Sequence, residues 1–128
     1  MPKRVLIADD AVFMRELLRE ILGEAGYEIA AEAADGTEAV ERFREQSPDL
    51  VTLDIVMPRK SGLDALREIL ALNPGACVVM CSALGQEALV MESLEAGARD
   101  FIVKPFKPDQ VRNVVARAIQ KGAEGATS

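Results

Sequence analysis

Two adjacent aspartates, a lone aspartate, a serine and a lysine each stand directly after a short apolar run. Asp9-Asp10 follow Val5-Leu6-Ile7-Ala8, Asp54 follows Leu50-Val51-Thr52-Leu53, Ser82 follows the run from Cys77 to Cys81, and Lys104-Pro105 follow Phe101-Ile102-Val103. Two carboxylates about 4 Å apart repel by roughly 4 kcal/mol at an effective dielectric near 20, so a protein that gathers three normally does so for a cation. The donor set is hard oxygen with no nitrogen or thiolate beside it, which selects magnesium, Mg2+, with several of its waters retained. A carboxylate beside such a cation is also a nucleophile toward phosphorus and yields an aspartyl-phosphate. Asp54 is the better nucleophile, because it stands alone and central while Asp9 and Asp10 flank it. Lys104 supplies a compact positive charge for one phosphoryl oxygen, and Ser82 offers a hydroxyl to another. Phosphoryl transfer asks for positioning and charge neutralisation, and these groups together provide both.

The elements that must position these groups follow from the apolar pattern. Short apolar runs bounded by turn residues read as buried parallel strands, here over 4–8, 28–33, 49–53, 76–81 and 100–103. Helical periodicity fills the gaps, over 12–25, 36–46, 63–72, 86–96 and 108–121. Strict alternation of this kind predicts an α/β fold, a doubly wound (βα)5 arrangement with right-handed crossovers and helices on both faces of a five-stranded parallel sheet. The crevice of such a sheet lies outside the carboxyl ends of its strands, which is where all the candidate groups fall. The first helix shows stripes of Phe13, Leu17, Ile21 and Met14, Leu18, Leu22, expected to face the sheet. Asp35-Gly36-Thr37-Glu38 has the spacing of a capping box at the second helix. The fourth helix is the loose one: Ala88, Leu89, Val90 and Met91 run consecutively and cannot all face inward. An apolar surplus there reads either as small apolar residues left partly exposed without consequence or as a partner surface on the face of the fourth helix, fifth strand and fifth helix, with Met91 and Phe101 as adaptable contacts.

Composition narrows the function further. A chain of 128 residues fits one domain, expected over 1–121 with a flexible polar tail over 122–128. A net charge of −6 repels nucleic acid and anionic membranes, and no basic helix offsets it. The apolar stretch after Met1 is four residues long, too short for an export signal or a span, so the expected location is cytoplasmic. Cys77 and Cys81 share a strand face about 13 Å apart, too far for a disulfide. Histidine is absent, which excludes Ser-His and Cys-His nucleophiles and any histidine phosphoacceptor.

Asp9-Asp10, Asp54, Met57-Pro58-Arg59-Lys60-Ser61-Gly62, Ser82-Ala83, Gly97-Ala98 and Lys104-Pro105-Phe106 together resemble the receiver domain of two-component response regulators, from about Lys3 to Lys121. Within that family the stretches Asp9 to Arg15 and Cys81 to Gln86 are most similar to chemotaxis members that act as single domains. The resemblance implies a flavodoxin-like sheet of order 2-1-3-4-5. It implies phosphorylation of Asp54 by a histidine kinase, and a magnesium ion held by Asp10, Asp54, the backbone carbonyl of Val56 and, through water, Asp9. Lys104 and Ser82 would contact the phosphoryl group, and the Lys104-Pro105 bond would be cis. Ser82 and Phe101 would form the switch, Phe101 swinging inward as Ser82 moves. The implied partners are a kinase of chemotaxis type, a flagellar motor switch protein and a phosphatase, with a monomeric receiver that catalyses only its own phosphorylation and dephosphorylation. An intermediate in a phosphorelay is the alternative output. Position 82 is Ser where the best-studied pattern has Thr, position 101 is Phe where it has Tyr, and position 56 carries an apolar Val. A haloacid dehalogenase-like phosphatase would need a second Asp two residues after Asp54, where Val56 stands, and a flavin protein would need a Ser/Thr-rich loop after the first strand.

Overall fold

A computed structural model describes residues 1–127, with side-chain surroundings described as far as Lys121; the side chains of the expected tail over 122–128 lie outside the described residues. Five strands alternate with five helices: β1 Arg4–Ala8, α1 Val12–Glu24, β2 Glu28–Ala33, α2 Gly36–Gln46, β3 Leu50–Asp54, α3 Gly62–Leu72, β4 Val78–Ser82, α4 Glu87–Ala96, β5 Asp100–Val103 and α5 Pro108–Thr127. The sheet is parallel throughout, in the order β2-β1-β3-β4-β5. Among the described residues no helix is long and apolar enough to cross a membrane.

The strands are apolar on both faces because both faces are covered. Leu6, Val51, Leu53, Val78 and Met80 pack with α2, α3 and α4 through Ala39, Val40, Phe43, Leu63, Leu66, Ile69 and Val90. Their neighbours in sequence, Val5, Ile7, Leu50, Val79, Cys81 and Ile102, pack on the other face with Leu18, Ile21 and Leu22 of α1 and Val111, Val115 and Ala118 of α5. The period-two alternation is thus present but invisible in composition. Cys77 and Cys81 are both buried and free in this second layer.

Three details differ from expectation. β3 and β4 each run one residue further than their apolar runs, so that Asp54 pairs with Cys81 and Ser82 with Val103 in register. The ladder between neighbouring strands carries these polar residues into the sheet, so they are the last residues of strands and not the first of loops. Phe13 is 70% exposed where the stripe placed it against the sheet. β1 stops at Ala8, so the first turn of α1 starts beyond the sheet edge with no strand beneath it, and burial begins at Leu18. Finally, the backbone of α5 continues as helix to Thr127, past the expected end at 121.

Thr52, central in β3, is fully buried with no partner for its hydroxyl among the described residues. An orphaned buried hydroxyl costs free energy that an isosteric methyl does not. Thr52→Val is therefore expected to raise stability by about 1 kcal/mol in urea unfolding, and a lower midpoint would show that the hydroxyl has a partner in solution. Leu22→Ala should cost about 2–5 kcal/mol through transfer and cavity terms, while Phe13→Ala should stay within about 0.5 kcal/mol of the parent protein. Similar losses in the two would place Phe13 in the core after all.

Candidate functional site

β1 and β3 are neighbours and parallel, so the acid pair after β1 and the acid at the end of β3 reach the same sheet edge. One carboxylate oxygen from each of Asp9, Asp10 and Asp54 lies within 4.8 Å of the others. Asp9 and Asp54 are buried while Asp10 is exposed. Asp9 is already committed: its Oδ1 accepts from the Ala11 N–H at 2.9 Å and its Oδ2 from Lys104 Nζ at 2.8 Å. The Lys104 ammonium also reaches Asp54 Oδ2 at 3.3 Å, so one cation is shared between two acids. Burial works against the Lys104 charge, but the hydrogen bond to Asp9 and the charges of Asp54 and Asp9 outweigh it and hold the ammonium above its ordinary pKa.

Asp54 carries the opposing load. Desolvation, then the Asp9 charge, push its carboxyl up to about 6 against the pull of Lys104, with Asp10 adding a smaller push. Beneath the cluster, burial pushes the Cys81 thiol up to about 12, leaving a neutral wall. A divalent cation fits this surplus of negative charge better than any group among the described residues, with Asp10 the most open of the three acids.

The remaining candidates surround this cluster. Ser82 ends β4, 1% exposed, and its carbonyl accepts from the Lys104 N–H at 2.7 Å. The Lys104–Pro105 peptide is cis. Val56 follows two residues after Asp54 and is 53% exposed. Phe101 sits in β5 opposite Met80, half-buried. With Ser82, Val90 and the exposed Met91 it lines an apolar hollow of about 250 Å3 between β5 and α4.

Several supporting contacts escaped the sequence reading. Arg15 Nη1 donates to the Asp9 carbonyl at 2.6 Å and its Nε to Glu32 at 3.3 Å, which steers the turn that presents the acid pair. Gly62 lies so close to the site that a Cβ there would stand 1.9 Å from the Asp54 carbonyl oxygen, and its N–H donates to Ile55 O at 2.7 Å. Arg59 Nε pairs with Asp35 Oδ2 at 2.7 Å. Only glycine's place in a run of motif residues could have been read in advance; pairs 17 and 24 residues apart carry no local signal.

The chain is similar to known proteins over most of its length. Residues 5–116 match the response regulator receiver domain. A chemotaxis protein CheY of Thermotoga maritima is 56% identical over 111 residues, spanning 87% of this chain and 92% of that protein. A chemotaxis protein CheY of Bacillus subtilis is 48% identical over 119 residues, spanning 93% and 99%. Among solved structures, the CheX-CheY-BeF3-Mg+2 complex from Borrelia burgdorferi superposes with a TM-score of 0.88 at 42% identity, covering 91% of this chain and 89% of that one.

The electrostatics of Asp54 set a pH dependence whose sign is fixed. Its folded pKa is raised, so the folded state binds the proton more tightly than the unfolded chain does. Stability from this group is present at low pH and is lost as pH rises from 3.8 through about 6. Asp54→Asn removes the penalty, so the metal-free variant should be more stable than the parent at pH 7.5 by about 2–3 kcal/mol. The advantage should fade towards the acid end of that window. Identical thermal melting of the two proteins at pH 7.5 would show that Asp54 carries no such penalty.

Proposed function

The chain belongs to the response regulator receiver domain family, and on that premise we propose that it takes a phosphoryl group from a histidine kinase onto Asp54, with magnesium, and thereby switches partner binding in chemotaxis. The observation that carries this reading is the cluster of Asp9, Asp10 and Asp54 within 4.8 Å, with Lys104 bound to two of its members. The receiver works in the cytoplasm as a monomer.

Asp10, Asp54 and the Val56 carbonyl would hold magnesium, with Asp9 contributing through water, and the ion would supply charge neutralisation for the carboxylates and the phosphoryl oxygens. The chain's own groups do the rest. An Asp54 oxygen attacks phosphorus, its new O–P bond forming as the P–N bond to the donor imidazole breaks, and the imidazole leaves with the electron pair. With a carboxyl held near 6, Asp54 is mainly ionised at neutral pH and is competent as the nucleophile. Lys104 holds one phosphoryl oxygen by its charge and Ser82 another by its hydroxyl. No histidine general base exists in the sequence, and none is needed where the nucleophile is already an anion.

Output follows from Ser82 and Phe101. Ser82, drawn to the phosphoryl oxygens, vacates space beside the apolar hollow, and Phe101 turns into it. The face formed with Met91 is reshaped for a flagellar motor switch protein, and a phosphatase resets the site. Phe101 has no hydroxyl, so the coupling runs on packing alone. A shift from mostly inactive to mostly active requires roughly 5.5 kcal/mol of differential stabilisation, within reach of several charge-assisted hydrogen bonds at about 1.5–3 kcal/mol each.

Incubation with acetyl phosphate and magnesium should add one phosphoryl group by mass spectrometry, and Asp54→Asn should abolish it. Asp10→Ala should remove the magnesium dependence of labelling. Equal labelling of the Asn variant would overturn the assignment.

A further inference from the structure

The loop over 55–61 joins β3 to α3 and carries the Val56 carbonyl. It is fastened at both ends and in its middle. At its base the Gly62 N–H donates to Ile55 O at 2.7 Å. On its far side the Gly36 N–H, at the start of α2, donates to Lys60 O at 3.1 Å, and a Cβ on Gly36 would stand 2.2 Å from that oxygen. Between them Arg59 Nε donates to Asp35 Oδ2 at 2.7 Å.

The Arg59–Asp35 pair is unusual in three ways. Arg59 has φ +65°, a left-handed backbone that a residue with a Cβ adopts only when its surroundings demand it. Its side chain is 74% exposed, yet it ends on a carboxylate that is only 2% exposed. Asp35 divides its two oxygens: Oδ1 caps α2 by accepting from the Glu38 N–H at 2.8 Å, and Oδ2 takes Arg59. The cap needs only Oδ1. Oδ2 has a task that the helix does not explain.

We propose that the Arg59–Asp35 pair is a positioning device for the metal site: it clamps the loop over 55–61 to the start of α2, fixing the backbone that carries the Val56 carbonyl, which the functional reading assigns to the metal, and so raising affinity for a divalent cation. The inference rests on the magnesium-dependent reading above. Arg59 touches neither the carboxylate cluster nor the phosphoacceptor; it acts through the backbone of its own loop. The sign of its effect separates this role from a simple charge. A guanidinium acting only through its charge would repel Mg2+, so removing it would tighten binding, whereas loss of a clamp loosens binding.

The test is calorimetric titration of the full, unphosphorylated chain with magnesium chloride at fixed ionic strength. Arg59→Asn keeps a residue that tolerates left-handed backbone, and Asp35→Asn keeps a competent cap. Each is expected to weaken magnesium binding about tenfold, the low end for loss of an outer-shell partner. The double variant should be no weaker than either single one, because both remove the same clamp. Hydrogen exchange of amides over 55–61 should quicken in both variants while the metal-free melting temperature stays close to the parent's. Unchanged or tightened binding in Arg59→Asn overturns the clamp, as does a double variant whose losses multiply. If the parent protein itself binds no magnesium, the functional reading falls and the clamp with it; if the parent binds and the variants match it, the clamp alone falls.

Discussion

Everything at the functional edge depends on holding three like charges together in a partly dehydrated place. β1 and β3 are adjacent and parallel, so their terminal acids meet whatever the loops do. Among the described residues one cation, Lys104, stands against the two buried acids, bonded to Asp9 and closer to it than to Asp54. The deficit falls on Asp54, which desolvation and the Asp9 charge keep far less acidic than an ordinary aspartate. A site left short of positive charge has donors that fit a divalent ion.

Backbone closeness is the second constraint, and it is set by two glycines. Gly62 lets α3 begin directly under the Asp54 carbonyl, and Gly36 lets the start of α2 meet Lys60 O. Any side chain at either position would push apart the loop over 55–61 and the strand end that it surrounds. The capping residues work towards the same end. Asp35 and Ser61 accept from the third backbone N–H of α2 and α3, so both helices start at fixed places beside the site.

The β4–β5 side is built more loosely. α4 buries Val90 and Ser93, and the Ser93 hydroxyl is used on its own helix, bonded to Leu89 O at 2.8 Å. A serine stands where α3 puts leucine and isoleucine, so beyond Val90 the apolar anchorage of α4 comes from the partly buried Leu89, Leu94 and Ala96. Next to it lies the hollow lined by Val90, Met91 and Phe101, one wall of which is Ser82. The buried acids are tied to Lys104 and to backbone on one side, while the hollow on the other side is left open beside α4.

Much of this was legible in the chain itself. The alternation of short apolar runs with helical stripes established the α/β fold, because buried strands and amphipathic helices have distinct periods. The acids, hydroxyl and amine at the ends of those runs could be placed on one sheet edge, because parallel strands all point one way. The order β2-β1-β3-β4-β5 came from resemblance, since periodicity does not say which strands are neighbours. What only the tertiary structure decided was interaction between residues far apart in sequence. The sharing of Lys104 between Asp9 and Asp54 spans 95 residues in its Asp9 arm, and the Arg59–Asp35 pair 24, distances over which no local pattern can signal a contact. The exposure of Phe13 belongs here too: its spacing matches the buried stripe, but whether strand lies beneath a helical turn depends on where the sheet ends in space. Local periodicity reports which face a residue takes, and packing alone reports what that face meets.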